Sequence, residues 1–120
     1  MWFAVHVILS IHKEKEKSEA LCAYENVFLV EAPDSEVAEQ KGLVLGKSQE
    51  GDAEGSFEWE GSPAHLEFEG IRKVIEIRSM SQADEPISGA EVTYNLLEFQ
   101  SLQALKSFSD GEVASVTYHE

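Results

Sequence analysis

Apolar and polar residues alternate along several stretches of this chain, as they do in strands that have one dry and one wet face. The clearest stretch is residues 56–69, SFEWEGSPAHLEFE, where apolar residues alternate with glutamates on both sides of a Gly-Ser-Pro-Ala turn. We predict a β-hairpin here, with Glu58 opposite Glu67 and Glu60 opposite His65. This register places every aromatic side chain on one face and every carboxylate on the other, whereas a slip by one residue would bury glutamates.

The remaining pattern predicts further strands and two helices. The predicted strands span residues 2–11, 20–32, 71–77, 91–99 and 113–118. Alternation is interrupted at Gly70, where we expect a bulge. The period changes over 34–46, where Asp34 or Ser35 can cap a helix, and Ser101 can cap a short second one. We therefore predict a single α+β domain over residues 1–120: a mainly antiparallel sheet of five or six strands, one main helix on one face, and a short C-terminal helix.

The net charge of the chain limits the classes of partner that it is expected to bind. The 120 residues include 23 Asp and Glu but only 9 Lys and Arg, which gives a formal net charge of −14. Such a chain is repelled by phosphate backbones and anionic lipid surfaces, so we expect neither a nucleic acid nor a membrane as partner. The single cysteine, Cys22, cannot form an internal disulfide, and the apolar N-terminal run is too short to span a bilayer and is not preceded by positive charges. We expect a cytoplasmic protein.

Three common motifs of catalytic or cofactor-binding sites are absent from the sequence. It has no glycine-rich phosphate loop, no Gly-x-Ser-x-Gly and no Cys-x-x-Cys. The histidines His6, His12, His65 and His119 lack the spacing of a metal site along one element. We therefore predict no metal and no cofactor, and we interpret His6 as a hydrogen-bonded, partly buried residue of a strand.

Four short segments carry a family resemblance. They are residues 2–5 (WFAV), 25–32 (ENVFLVEA), 68–74 (FEGIRKV) and 89–92 (GAEV). Together they resemble the small bacterial proteins grouped as domain of unknown function 4288, over roughly residues 1–99. The resemblance implies a small α+β domain without an assigned activity, and it supplies no catalytic residues.

The carboxylate face of the predicted hairpin is the best candidate site. Glu58 opposite Glu67 would hold like charges close together, which costs stability. Three arrangements could offset that cost: a Ca²⁺ or Mg²⁺ ion, a basic surface on a partner protein, or neutralisation by Arg72, Lys73 or Arg78 of a neighbouring strand. The candidate binding residues are Glu58, Glu60, His65, Glu67, Glu69 and Tyr94.

These features together predict a non-catalytic binding or interaction module, whose partner is a basic protein or a second copy of the chain. Trp2, at a strand end, is the predicted contact of a homodimer. One alternative is a small enzyme or ligand-binding domain with a pocket beside the hairpin, formed by Glu67, His65 and Tyr94. Another is an immunity-type protein that neutralises a basic toxin.

Overall fold

The fold is a six-stranded antiparallel sheet with a helix on each face. The computed structural model describes residues 1–14, 21–77, 88–89 and 91–119, and for residues 91–94 and 119 it describes the backbone only. Its elements are β1 (Trp2–Lys13), β2 (Leu21–Glu31), α1 (Ser35–Ser48), β3 (Glu58–Trp59), β4 (Ser62–Ile77), β5 (Glu91–Phe99), α2 (Leu102–Ser109) and β6 (Thr117–His119). The strand order is β3-β4-β1-β2-β5-β6. This confirms the predicted α+β class.

Strand β1 lies in the interior of the sheet, paired with β2 on one side and β4 on the other. Its odd-numbered residues Phe3 to Leu9 enter the core on one face, and Ile8 enters the core on the other, which explains why apolar residues occur on both faces of β1. The core under α1 contains Phe3, Val5, Val7, Leu9, Phe28, Val30, Ala32 and Ala38. The core under α2 contains Ile8, Ala23, Leu97, Phe99, Leu105 and Phe108.

Helix α1 begins where the sequence predicts. The Asp34 carboxylate accepts a 2.9 Å hydrogen bond from the backbone N–H of Val37, which satisfies one of the free donors of the first turn. Glu36 in the first turn and Lys47 in the last turn both complement the helix dipole. The helix packs along β1 and β4, so it covers the face that carries the larger core.

Helix α2 covers the opposite face of the sheet. Ser101 caps it by accepting a 3.1 Å hydrogen bond from the Ala104 N–H. Arg72 of β4 contacts the C-terminal end of α2. Its guanidinium lies 3.7 Å from the ring centroid of Phe108 and donates a 2.6 Å hydrogen bond to the Phe108 carbonyl.

Two bulges interrupt the pairing of β1 with β4. The register shifts by one residue between His6 and Val7 and again between Ile8 and Leu9, which leaves Arg72 and Glu69 as the extra residues of β4. The bulge expected beside Gly70 is therefore confirmed.

The predicted register of the 56–69 hairpin is wrong. Strand β3 contains only two residues, and Glu58 pairs with Pro63 instead of Glu67. The turn consists of Glu60 and Gly61, both with positive φ (51° and 79°), which is typical of the tight two-residue turns that match strand twist. The predicted four-residue turn, 61–64, is centred two residues later than the observed one. Because the observed turn comes earlier and β3 is only two residues long, Glu67 lies beyond the end of β3.

Within the described ranges, no helix combines the length and apolar character that crossing a lipid bilayer requires.

Close packing at Gly42 gives a test of how α1 lies on the sheet. A Cβ at Gly42 would lie 2.5 Å from Cγ1 of Val5, a fully buried side chain whose position the strand fixes. Alanine gains about 1 kcal/mol of helix propensity over glycine, but the overlap costs more. We expect Gly42→Ala to lower the free energy of unfolding by about 1–2 kcal/mol in urea titrations. Gln40→Ala, on the exposed side of α1, should change it by less than about 0.5 kcal/mol. A Gly42→Ala protein as stable as the wild type would contradict this packing.

Candidate functional site

Antiparallel pairing of β1 with β4 brings five polar residues together at one end of the sheet. Ser10 lies directly opposite Glu67, and His12 lies directly opposite His65. Residues two apart on a strand, and residues directly opposite on its neighbour, share a face, so these four side chains point to the same side. The bulged residue Glu69 joins them through Ser10. We call these five residues the histidine–glutamate cluster.

The Glu67 carboxylate connects the two imidazoles. Its Oε1 lies 3.0 Å from Nε2 of His65, and its Oε2 lies 3.2 Å from Nε2 of His12. The two rings stack with centroids 5.2 Å apart and planes inclined by 15°. The side chains of His12, His65 and Glu67 remain 28%, 36% and 49% exposed, so solvent reaches all three.

Ser10 fixes the inner side of the cluster. It is fully buried, and its hydroxyl donates a 2.8 Å hydrogen bond to Oε1 of Glu69. The Ser10 Oγ also lies 2.7 Å from Nε2 of His12. Ser10 therefore holds both His12 and Glu69 in position.

The environment favours an ionised Glu67. The hydrogen bond from His65 lowers the pKa of the Glu67 carboxyl, partial burial opposes that effect, and the charges of His12 and His65 lower the pKa further. The cluster therefore presents a carboxylate between two imidazoles. Among the described residues, His12, His65 and Glu67 offer ligand atoms within 4.8 Å of one another, an arrangement able to hold a metal ion.

A second polar group lies deeper on the same face of the sheet. Glu25 is 4% exposed, and its two carboxylate oxygens lie 3.3 Å from Nδ1 of His6 and 3.0 Å from Nδ2 of Asn95. The hydrogen bond to His6 is the main reason why the pKa of Glu25 lies below its ordinary value, although burial raises it in part. Both oxygens are satisfied within the sheet, so this group is structural, and the interpretation of His6 as hydrogen-bonded and partly buried is confirmed.

The structure brings together three of the predicted binding residues, His65, Glu67 and Glu69. Glu60 lies in the β3–β4 turn, where its carboxylate is 3.2 Å from Nζ of Lys13. Glu58 lies on β3, away from its predicted partner Glu67.

Tyr94 and Trp2 lie elsewhere in the sheet. Tyr94 belongs to β5, and its backbone is separated from β4 by two intervening strands. Trp2 is half-buried at the start of β1, opposite Glu31 and Ile77. The homodimer contact assigned to Trp2 stays a prediction.

Sequence reasoning missed His12 and Ser10. A metal-binding spacing along one element does not include them, since His12 and His65 belong to different strands and meet only through sheet pairing. One signal was present: Ser10–x–His12 and His65–x–Glu67 each place two polar residues on one face of a strand. It becomes specific only when β1 is known to pair with β4.

The ionised Glu25 predicts a dependence of stability on pH. A carboxyl whose pKa is lowered in the folded state stabilises the fold at pH values above its ordinary pKa of 4.5, and this contribution is lost as the pH falls through the lowered value. We expect Glu25→Gln to reduce the free energy of unfolding at pH 7 and to flatten its decline below about pH 4.5. Chemical denaturation at pH 3–7 measures both effects. Glu39→Gln, on the exposed side of α1, is the control and should keep the wild-type slope. A Glu25→Gln slope identical to that of the wild type would contradict the assignment.

Comparison with known proteins identifies a family and no individual relative. The family model described as Domain of unknown function (DUF4288) matches residues 2–94, which include β1, β2, α1, β3, β4 and the start of β5. Neither the curated proteins nor the solved structures contain a match to the chain. Since the matched range covers most of the 120 residues, the chain belongs to the DUF4288 family.

Proposed function

We propose that this domain is a non-catalytic interaction module that binds a basic surface on another protein. The binding region is a set of carboxylates beside the edge strand β3, which we call the acidic surface. Its members are Glu50, Asp52, Glu54, Glu58 and Glu60.

Backbone contacts give the acidic surface a defined shape. Gly51 and Leu66 exchange two hydrogen bonds of 2.8 and 3.0 Å, so the segment after α1 is attached to the edge of β4. Phe57 N–H donates to the Asp52 carbonyl at 2.8 Å, which closes the intervening loop. The carboxylate of Glu50 accepts a 3.0 Å hydrogen bond from the Phe68 N–H. The acidic side chains are thus carried on a backbone that is anchored to the sheet.

The observation that carries the proposal is the position of the cations. Neutralisation of the glutamates within the chain would need Arg72, Lys73 or Arg78 to lie against them. Arg72 instead contacts Phe108 of α2, and Lys73 lies opposite His6, where its charge acts on Glu25. Arg78 lies outside the described residues.

Negative charge on the acidic surface is consequently only partly compensated. Lys13 contacts Glu60 at 3.2 Å. For Asp52, Glu54 and Glu58, no cation within the described part of the chain lies at ion-pair distance. With a net charge of −14 behind it, such a surface attracts and orients a basic partner, and binding of this kind weakens as salt screens the field. An immunity-type inhibitor of a basic toxin is one form of this function.

Affinity capture with two charge-matched variants tests the proposal. The test variant is Asp52→Asn/Glu54→Gln/Glu58→Gln, and the control is Glu31→Gln/Glu39→Gln/Glu112→Gln, which removes the same charge from exposed sites elsewhere. Wild type and control should retain the same basic protein from an extract of the source organism at about 50 mM salt and release it at about 500 mM, because the Debye length shortens severalfold. The test variant should retain little of it at either concentration.

Two results would contradict the proposal. Equal losses in both triple variants would mean that only total charge matters. Retention that does not change with salt would exclude a charge-dominated contact. Circular dichroism of both variants verifies that each is folded.

A further inference from the structure

The histidine–glutamate cluster has a donor set that the interaction-module proposal does not use. Two imidazole nitrogens and one carboxylate converge from adjacent strands, and solvent reaches them from one side. We propose that His12, His65 and Glu67 bind one divalent transition-metal ion of the zinc type. This inference rests on different residues from those of the acidic surface, so either proposal can fail without the other.

Distances within the cluster suit such an ion. Zinc binds histidine nitrogen and carboxylate oxygen at about 2.0–2.2 Å, so neighbouring ligand atoms in a tetrahedral site lie about 3.3 Å apart. The separations of 3.0 Å (Glu67 Oε1 to His65 Nε2) and 3.2 Å (Glu67 Oε2 to His12 Nε2) are close to this value, and each involves a different carboxylate oxygen. One ligand atom from each of the three residues lies within 4.8 Å of the other two, and side-chain rotation must close the remaining gap around one ion.

The chemistry of the donors selects the class of metal. Calcium and magnesium take six or more oxygen ligands or retain several waters, and this cluster offers only one carboxylate beside two imidazoles. Imidazole suits zinc, copper, nickel and cobalt. The Ca²⁺ or Mg²⁺ ion considered for a Glu58–Glu67 pair has no basis in the structure, because these two residues are not opposite each other.

The surroundings of the ligands support a built site. Directly opposite positions on β1 and β4 fix the spacing of His12 and His65, and a central sheet is a rigid base for a metal site. Ser10 and Glu69 bound the cluster on its inner side, and the Ser10 hydroxyl contacts the same Nε2 of His12 that faces Glu67, so an ion at this nitrogen replaces that hydrogen bond. With three protein ligands on an exposed face, the fourth position is open to water or to a group from a partner.

Titration with zinc chloride alone tests the inference. Wild-type protein, first treated with a chelator and desalted, should bind one Zn²⁺ per chain by isothermal titration calorimetry. Glu67→Gln and His65→Ala should each weaken binding by more than about tenfold. Glu39→Gln is the matched control, because it makes the same chemical change on an exposed glutamate of α1, outside both the cluster and the acidic surface, and it should bind zinc as the wild type does.

Two further measurements keep the test decisive. Zinc should raise the melting temperature of the wild type and the control but not of the two cluster variants, since only binding to the folded state stabilises it. The imidazole resonances of His12 and His65 should shift with zinc, while those of His6 should not. Glu67→Gln is nearly isosteric, so it remains informative if His65→Ala fails to fold.

Any of three results would overturn the inference. The first is no zinc binding by the wild type. The second is equal weakening by Glu39→Gln and Glu67→Gln, which would indicate general attraction to acidic groups. The third is displacement of zinc by an equal concentration of Mg²⁺ or Ca²⁺, which would exclude a site built from imidazoles.

Discussion

The pairing of β1 with β4 is the constraint on which the rest of this structure depends. It contains two one-residue bulges, at Arg72 and Glu69, whose shifts add up to two residues. Because side chains alternate with a period of two, one bulge alone would exchange the faces of β4, whereas two restore them. His65 and Glu67 therefore lie on the same face as Lys73 and Ile75, next to Ser10 and His12. Removing one bulge would turn Phe68 out of the core under α1 and would turn His65 into that core.

Because β1 is covered on both faces, several polar and charged residues around it have structural roles. The two helices cover the opposite faces of β1 at different core residues, with Asp34 and Ser101 as their caps. A buried, ionised Glu25 is tolerated because His6 and Asn95 satisfy both of its oxygens. Arg72 is committed to α2, and the charge of Lys73 acts on Glu25. The side chains of His12, His65 and Glu67, in contrast, stay accessible to solvent at the end of β4 that pairs with β3.

Local patterns in the sequence predicted the helices and most strands, but they did not predict the histidine–glutamate cluster. The cap at Asp34, the short helix after Ser101 and the bulge beside Gly70 follow from chemistry within a few residues, and each is present. The hairpin register failed because alternation alone is compatible with more than one turn, and the left-handed conformations of Glu60 and Gly61 were decisive. The partner of Glu67 is Ser10, which is distant in the chain. No local pattern contains that pairing, so His12 could not be assigned to a site from the sequence.

The register of β1 against β4 is best measured by nuclear Overhauser effects in isotope-labelled protein. The structure predicts cross-strand contacts between His12 and His65 and between Ser10 and Glu67, with Glu58 in contact with Pro63. Contacts between Glu58 and Glu67, without any between His12 and His65, would indicate the long hairpin instead. That result would contradict both the fold at this end of the sheet and the metal site built on it.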